Sequence, residues 1–274
     1  MVQWVIMIVK DVIQWFEAWA NPQWQEKWDN SGWQVEPGVL QIPAHVLVAL
    51  TPTLSVMEEA IAYGNQGIPV NLILTHHPLI FNPLKSLRHG EVVAQIIRLA
   101  FLHNIGIYTA HTNFDQVDGG TAAVLADLLH LKQVIPLVPT GEGRGYGRIG
   151  ILDPVLPLQA LLTHICQVLS PPDLIVSPLA DTRELIQKVA VLGGSGASFM
   201  DAALSAGAEV YVTADCKFHQ FQASRDGNLI LVDAGHYGTE RPACERLVER
   251  LKELGLPWVK LSVGDEDFRQ FFHS

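Results

Sequence analysis

The stretch Val70–Pro78, which reads VNLILTHHP, joins an apolar run to a pair of histidines. The run over 70–74 is short and rich in branched side chains, which is typical of a strand buried in a parallel sheet. Pro78 disfavours helix in the residue before it, so the chain is expected to turn at His76 and His77. Because functional groups gather at the carboxyl ends of strands in open parallel sheets, this stretch predicts an α/β fold with its chemistry at one sheet edge.

Helix-like and strand-like segments alternate on both sides of this stretch. The spacing of apolar residues predicts a helix over 9–20, a strand over 46–50, a helix over 55–63, the strand over 70–74, a helix over 91–104, a strand over 105–109 and a helix over 121–131. Ser55, followed three residues later by Glu58, has the pattern of a capping box and is predicted to cap the second helix. The β-α-β-α order indicates a mostly parallel sheet with helices on both faces.

The alternation breaks between residues 134 and 147, where Pro136, Pro139 and four glycines stand close together. We place a domain boundary in this stretch. Beyond it, the pattern predicts strands over 146–152, 174–176, 188–192, 210–213, 229–233 and 259–263, and helices over 158–169, 198–206 and 243–254. The predicted fold class is α/β, with mostly parallel or mixed sheets flanked by helices, in a first domain over 1–134 plus 236–274 and a second domain over 135–235.

The bulk composition excludes several classes of protein. Hydrophobic residues make up 49% and charged residues 17% of the 274 residues, which favours an ordered globular core over a disordered chain. The formal net charge of -10 repels phosphate backbones, so nucleic acid is not expected as a partner.

The cysteines and the apolar segments bear on the compartment. Three cysteines without a CxxC pair do not make a disulfide framework, which favours a reducing compartment. Lys10 and Asp11 interrupt the apolar amino terminus before a signal peptide is complete, and no stretch reaches the roughly 18 apolar residues of a membrane helix. We therefore expect a cytoplasmic protein without a membrane partner.

Five side chains of metal-binding type follow predicted strands. His76 and His77 follow the strand over 70–74, Asp115 comes shortly after the strand over 105–109, and His236 follows the strand over 229–233. Glu240 stands one helical turn beyond His236 and would share a helix face with it. Neutral imidazole and carboxylate together bind zinc, iron or manganese. A single histidine at a strand end is more often a hydrogen-bonded structural residue, and only the combination favours a metal site.

Two further motifs allow two interpretations each. The turn Gly193-Gly194-Ser195-Gly196 could hold an anion with its backbone N–H groups, or be a tight turn that needs positive φ. After the strand over 210–213, Asp215, Lys217 and His219 alternate and could share one face. His219 would then be a proton shuttle or phosphate ligand if it lay near a metal, and a solvated strand end is the alternative.

Taken together, these motifs resemble the family of GTP cyclohydrolase 1 type 2 homologues, also called the NIF-three-like dinuclear-metal proteins. The matching stretches, in the family's order, are WDNSGWQV at 28–35, LTHHPLIF at 74–81, HTNFD at 111–115 with DGG at 118–120, GGSG at 193–196, TAD at 213–215 with Lys217 and His219, and GHYGTE at 235–240. They span about nine-tenths of the chain, and a combination of this many motifs is highly specific.

The resemblance implies a NIF-three-like fold in its short form, without the inserted domain of longer relatives. It also implies a homohexamer, built as a ring of dimers, with metal sites that face an internal cavity. Each subunit would hold two divalent ions (zinc, iron or manganese). The implied ligands are His76, His77, Asp115, His236 and Glu240. His111 and His219 match family positions near that centre and are the candidate catalytic residues for proton transfer.

Two positions depart from the family's pattern. Thr51 stands near the end of the first core strand, where the family often has an acidic residue. A carboxylate that would orient the site is therefore absent, which bears on activity. Glu36 stands where a glycine is common, and only a local change in the loop is expected.

Three functions of different classes are compatible with these residues. The leading hypothesis is a metal-dependent hydrolase, with two ions about 3.5–4 Å apart and a nucleotide such as GTP as the substrate that the resemblance implies. The alternative is a metal-binding protein without turnover, such as a metallochaperone, a metal store or a regulatory interaction protein, and Thr51 modestly favours it. A nucleic-acid-binding ring is the third, and the acidic net charge argues against it.

Overall fold

The computed structural model describes residues 7–178 and 185–272. The chain divides into two compact units. The first contains the described residues up to Phe114 together with Cys244–Glu266, and the second contains Asp115–Ala243 together with the described residues from Asp267 onward. Each unit is built on one sheet flanked by helices, so the predicted α/β fold class is confirmed.

The strands and helices follow one another in nearly the predicted order. The strands are β1 (Gly32–Val35), β2 (His45–Ala49), β3 (Leu72–Thr75), β4 (Gly106–Thr109), β5 (Lys132–Gly141), β6 (Arg144–Pro157), β7 (Ile175–Val176), β8 (Leu185–Val191), β9 (Val210–Thr213), β10 (Ile230–Asp233) and β11 (Trp258–Leu261). The α-helices are α1 (Val9–Trp19), α2 (Leu54–Asn65), α3 (Val92–His103), α4 (Thr112–Asp115), α5 (Thr121–Leu128), α6 (Leu158–Leu169), α7 (Met200–Ser205), α8 (Phe218–Asp226) and α9 (His236–Glu253). Short 3-10 helices cover Pro22–Trp24 and Ala197–Phe199.

The sheet of the first unit has the strand order β1-β4-β3-β2-β11. Its last four strands are parallel, and β1 pairs antiparallel with β4. Every residue of β3 and β4 is buried, as expected for strands that are covered on both faces. Ile73 and Ile107 pack with Met57 of α2 and Ile96 of α3 in one hydrophobic core.

The sheet of the second unit has the order β5-β6-β8-β9-β10-β7. Strands β8, β9 and β10 are parallel, and the remaining pairs are antiparallel, so this sheet is mixed. Val189, Val210 and Val232 from the parallel strands pack with Leu161 and Ile165 of α6.

The structure divides the chain differently from the predicted boundaries at 134 and 236. The residues around Pro136 and Pro139 form β5, which lies at the edge of the second sheet, where a proline interrupts no ladder on its outer side. Helix α5 belongs to the second unit, because its residue Leu125 is buried in the core of the second sheet.

Helix α2 begins earlier than the sequence predicted. Its first residue is Leu54, and the Thr53 side chain accepts a hydrogen bond from the Val56 backbone N–H at 3.1 Å. Thr53 is therefore the cap, and the prediction that Ser55 caps this helix was wrong. The turn after β2 is only four residues long, so the helix starts before the pattern centred on Ser55 and Glu58.

Within residues 7–178 and 185–272, no helix combines the length and the apolar character that crossing a membrane requires.

Candidate metal centre

Three imidazoles gather at the ends of two neighbouring parallel strands in the first unit. Thr75 and Thr109 are paired in register as the last residues of β3 and β4, and their hydroxyls lie 2.8 Å apart. Both strands therefore end at the same level, and the histidines that follow are brought together. One ring nitrogen from each of His76, His77 and His111 lies within 4.8 Å of those of the other two.

Hydrogen bonds fix which nitrogen two of these rings present. Nδ1 of His76 lies 3.0 Å from the Ala110 carbonyl oxygen, which can only accept, so Nδ1 carries the proton. Nδ1 of His111 lies 2.8 Å from Oδ1 of Asp29 and donates to that carboxylate. When Nδ1 carries the only ring proton, the lone pair is on Nε2, which is the arrangement found in metal-binding histidines.

Asp29 is a residue of the site that the sequence did not single out. Its side chain is fully buried and also accepts from the backbone N–H of Thr112 at 3.0 Å and from the Thr112 hydroxyl at 2.5 Å. Burial by itself raises the pKa of Asp29, but the hydrogen bonds from His111 and Thr112 outweigh it and hold the pKa well below its usual range. Asp29 is therefore ionised at neutral pH and orients His111. The only sequence signal for it was its place in the WDNSGWQV motif.

Thr51 is a hydrogen-bonding partner of His77. Its hydroxyl lies 2.8 Å from Nδ1 of His77, and the backbone N–H of His77 donates to the Leu50 carbonyl at 2.8 Å. Asp265 accepts from the backbone N–H of Leu50 at 2.7 Å and so holds this loop. The position where the family often has a carboxylate still orients the imidazole, but through a neutral group, whose hydrogen bond is weaker than a charge-assisted one.

His236 and Glu240 lie in the second unit, at the start of α9. Nε2 of His236 is 2.9 Å from Oε2 of Glu240, one helical turn away, as the four-residue spacing predicted. On the other side of the ring, Nδ1 of His236 is 2.6 Å from Oδ2 of Asp215. Asp215 also accepts a short hydrogen bond from the Ser195 hydroxyl, and Nη1 of Arg269 approaches its other oxygen at 3.8 Å.

The two carboxylates around His236 favour a cation. Burial alone lowers the pKa of His236, but the hydrogen bonds to Asp215 and Glu240 outweigh it and raise the pKa to about 10. The hydrogen bond to His236 lowers the pKa of Asp215 to about 2. A divalent cation held by the same carboxylates would compete with the proton on His236.

The Gly193–Gly196 turn packs against this pair. Gly194 has a φ of +63°, and a Cβ there would lie 2.1 Å from Oε1 of Glu240. The backbone N–H of Gly194 donates to the Thr239 hydroxyl at 3.0 Å, and that of Gly196 donates to the Thr213 hydroxyl at 3.0 Å. Two of the turn's N–H groups therefore bond inside the protein, and the positive φ of Gly194 favours the interpretation of a tight turn that needs glycine.

Asp115 and His219 are the remaining predicted site residues, and both lie in the second unit. Asp115 ends α4, and its Oδ1 accepts from the Thr121 hydroxyl at 2.6 Å. His219 is exposed in the first turn of α8. The prediction that Asp215, Lys217 and His219 alternate along a strand was wrong, because Asp215 has a left-handed φ of +54° and Lys217 is the residue that precedes α8.

The donor types fit a divalent transition metal. The first unit offers three imidazoles, two of them with Nε2 left as the acceptor, and the second offers an imidazole beside a buried carboxylate. Nitrogen and carboxylate ligands of this kind suit zinc, iron and manganese.

Comparison with known proteins identifies the family of this chain. The Duf34/NIF3 (NGG1p interacting factor 3) family matches residues 7–264. A GTP cyclohydrolase 1 type 2 homolog of Nostoc sp. is 65% identical over 266 residues, covering 97% of this chain and 99% of that protein. Another, from Streptococcus pneumoniae, is 33% identical over 84% of this chain and 85% of that protein.

Solved structures give the same result. A Bacillus cereus protein related to NIF3 superposes with a TM-score of 0.84 at 24% identity, covering 97% of this chain and 99% of that one. Reduced HcgD from Methanocaldococcus jannaschii superposes with a TM-score of 0.81 at 27% identity, covering 94% and 99%. The chain therefore belongs to the Duf34/NIF3 family.

Proposed function

We propose that this protein is a metal-dependent hydrolase with two divalent ions per subunit. The proposed ligands are His76, His77, Asp115, His236 and Glu240. The observation that supports the proposal most is that the ligands His76 and His77 lie in a cluster of three imidazoles, with His76 already oriented through Nδ1. Side chains that are already fixed lose little conformational entropy when they bind a cation.

The chemistry divides between the cation and the side chains. A bound divalent ion supplies Lewis acidity, which lowers the pKa of water and polarises a substrate oxygen. His111 holds its Nδ1 proton against Asp29, so its Nε2 is the basic atom of this ring. When Nε2 takes a proton, the ionised Asp29 stabilises the imidazolium, as the carboxylate does in a catalytic triad. His219 is the second candidate for proton transfer.

The proposed substrate is a nucleotide. Relatives that are 65% and 33% identical carry the name GTP cyclohydrolase 1 type 2 homolog, which suggests hydrolytic attack on a purine nucleotide. The proposed assembly is a homohexamer, a ring of dimers, in the cytoplasm. The sequence resemblance supports the assembly, and the three cysteines without a CxxC pair support a reducing compartment.

Elemental analysis tests the ligand set directly. We expect two equivalents of zinc, iron or manganese per chain in native protein, and fewer in His77→Ala and Glu240→Ala. His103→Ala, at the exposed end of α3, is the matched control and should keep the full metal content. Metal-loaded protein should consume GTP, and the two ligand variants should not. Native protein without stoichiometric metal, or variants that keep all of it, would overturn the proposal.

A non-catalytic metal-binding protein, such as a metallochaperone, is the second candidate. The neutral partner of His77 favours it, because a hydroxyl supports the basicity of an imidazole less than a carboxylate does. A Thr51→Asp variant separates the two functions. It should release metal to a chelator more slowly than wild type under either function, and it should raise GTP turnover only if the protein is an enzyme.

A further inference from the structure

Two large aromatic side chains lie exposed beside the imidazole cluster of the first unit. Trp28 is 59% exposed and Phe81 is 49% exposed. Their ring centroids are 5.9 Å apart, and each ring makes an edge contact with His111, at 6.1 Å for Trp28 and 6.4 Å for Phe81. Apolar surface of this size is left in water directly against a candidate catalytic imidazole.

A hydrogen-bonded frame holds the two rings in place. The Asn30 side chain donates to the Ile80 carbonyl at 2.7 Å, and the Ile80 backbone N–H donates to the Gln34 side chain at 3.0 Å. These bonds tie the loop that carries Trp28 to the residue before Phe81. Asp29, which follows Trp28, is itself fixed by His111 and Thr112. The aromatic pair is therefore preorganised, and a ligand that binds it does not have to order it.

We propose that Trp28 and Phe81 form a subsite that stacks a planar heteroaromatic ring of the substrate, such as a nucleobase. This inference rests on the proposed function and names the part of the substrate that the site recognises. The flat π faces of the two rings suit another flat ring, and stacking of one base on an aromatic side chain is worth about 1–3 kcal/mol. The contact of both rings with His111 brings such a ligand beside the imidazole cluster.

A second copy of the chain is a poorer occupant for this pair. Aromatic side chains bury about 150–250 Å² each, so two of them supply much less than the ~800 Å² per partner of a stable interface. A small planar ring matches the size of the pair.

Isothermal titration with two probes tests the subsite. GTP carries a base and tripolyphosphate does not, so their difference in affinity isolates the contribution of the ring. In manganese-loaded protein, Trp28→Ala and Phe81→Ala should weaken GTP binding by about 5- to 150-fold and leave tripolyphosphate binding unchanged. Trp28→Phe should keep most of the GTP affinity. Phe101→Ala is the matched control, because Phe101 is 56% exposed on α3 of the same unit.

Three outcomes would overturn the subsite. They are wild-type protein that binds GTP no more tightly than tripolyphosphate, Trp28→Ala protein with unchanged GTP affinity, and variants whose main effect is to break up an assembly in native mass spectrometry. The same titration in metal-free protein measures the base-dependent affinity without the ions. If native wild-type protein contains no metal but binds GTP more tightly than tripolyphosphate, the result counts against the proposed function alone. If native protein has its full metal content but binds both probes equally, the result counts against the subsite alone.

Discussion

At the scale of single residues, the candidate site repeatedly uses a hydrogen bond that orients an imidazole. Four of its imidazoles bond through Nδ1 to a partner from another part of the chain. The partners are a backbone carbonyl for His76, the Thr51 hydroxyl for His77, Asp29 for His111 and Asp215 for His236. The bond sets the ring's orientation and, where the partner can only accept, its tautomer. The partner's charge then sets how strongly the ring supports a bound cation.

Asp215→Asn tests the orienting hydrogen bond of His236 in the second unit. An asparagine keeps the shape but can turn its NH2 toward Nδ1 of His236, which would move the ring proton to Nε2. We expect metal affinity to fall by about 10- to 100-fold, measured by competition with a chelating indicator. Asp226→Asn is the control, since that side chain is 55% exposed and pairs with its neighbour Arg225. Equal affinities of Asp215→Asn and wild type would show that Asp215 does not orient the ring.

Asp29 gives a prediction for acid stability. Its pKa in the folded protein is below the ordinary value of 3.8, so near and below that pH the unfolded chain binds more protons. The stabilisation from Asp29 is therefore complete above the unfolded pKa and is lost as the pH falls toward the lower folded value. In urea unfolding between about pH 6 and pH 3, wild type should lose stability more steeply than Asp29→Asn. Parallel slopes for the two proteins would contradict this.

At the scale of elements, the sequence predicted those helices and strands whose apolar residues recur at a regular spacing. Helix α6 and strand β9 have the predicted bounds of 158–169 and 210–213. Strand β1 was missed because Gly32 and Gln34 interrupt its apolar pattern, and β5 because its two prolines read as a break. Proline is tolerated in β5 only because the strand lies at a sheet edge, and strand order is a tertiary property that local sequence does not contain.

The turn between β8 and α7 can be tested with a matched pair of glycines. Gly194 and Gly143 have φ of +63° and +68°, but a Cβ at Gly143 meets no atom within 4 Å, whereas one at Gly194 would meet Glu240. Gly143→Ala should cost about 1–2 kcal/mol from the left-handed backbone alone. Gly194→Ala should cost more in urea unfolding and should also lower the metal content, because it displaces the Glu240 carboxylate. Similar costs and full metal in both variants would mean that the turn does not support the site.

At the scale of the whole molecule, the rule that functional groups gather at the carboxyl ends of strands pointed to the histidines but not to Asp29. His76, His77 and His111 follow strands that are adjacent in the first sheet, so the parallel fold by itself brings them together. Asp29 is 82 residues away from His111, and no local pattern connects them. The contact between Asp29 and His111 depends on how distant loops pack. The histidines meet because they follow parallel strands, and the parallel arrangement is what an α/β pattern predicts.

Metal removal tests the proposed centre at the scale of the whole chain. A cation that binds the folded but not the unfolded chain stabilises it by about 2.7 kcal/mol at a free concentration of 100 times Kd. For a chain of this size the melting temperature should fall by roughly 5–10 °C when a chelator removes the metal, and recover when zinc or manganese is restored. The double variant His77→Ala/Glu240→Ala should melt at the same temperature with and without chelator, because it no longer has a cation to lose. A chelator effect that persists in the double variant would place the stabilising cation elsewhere in the protein.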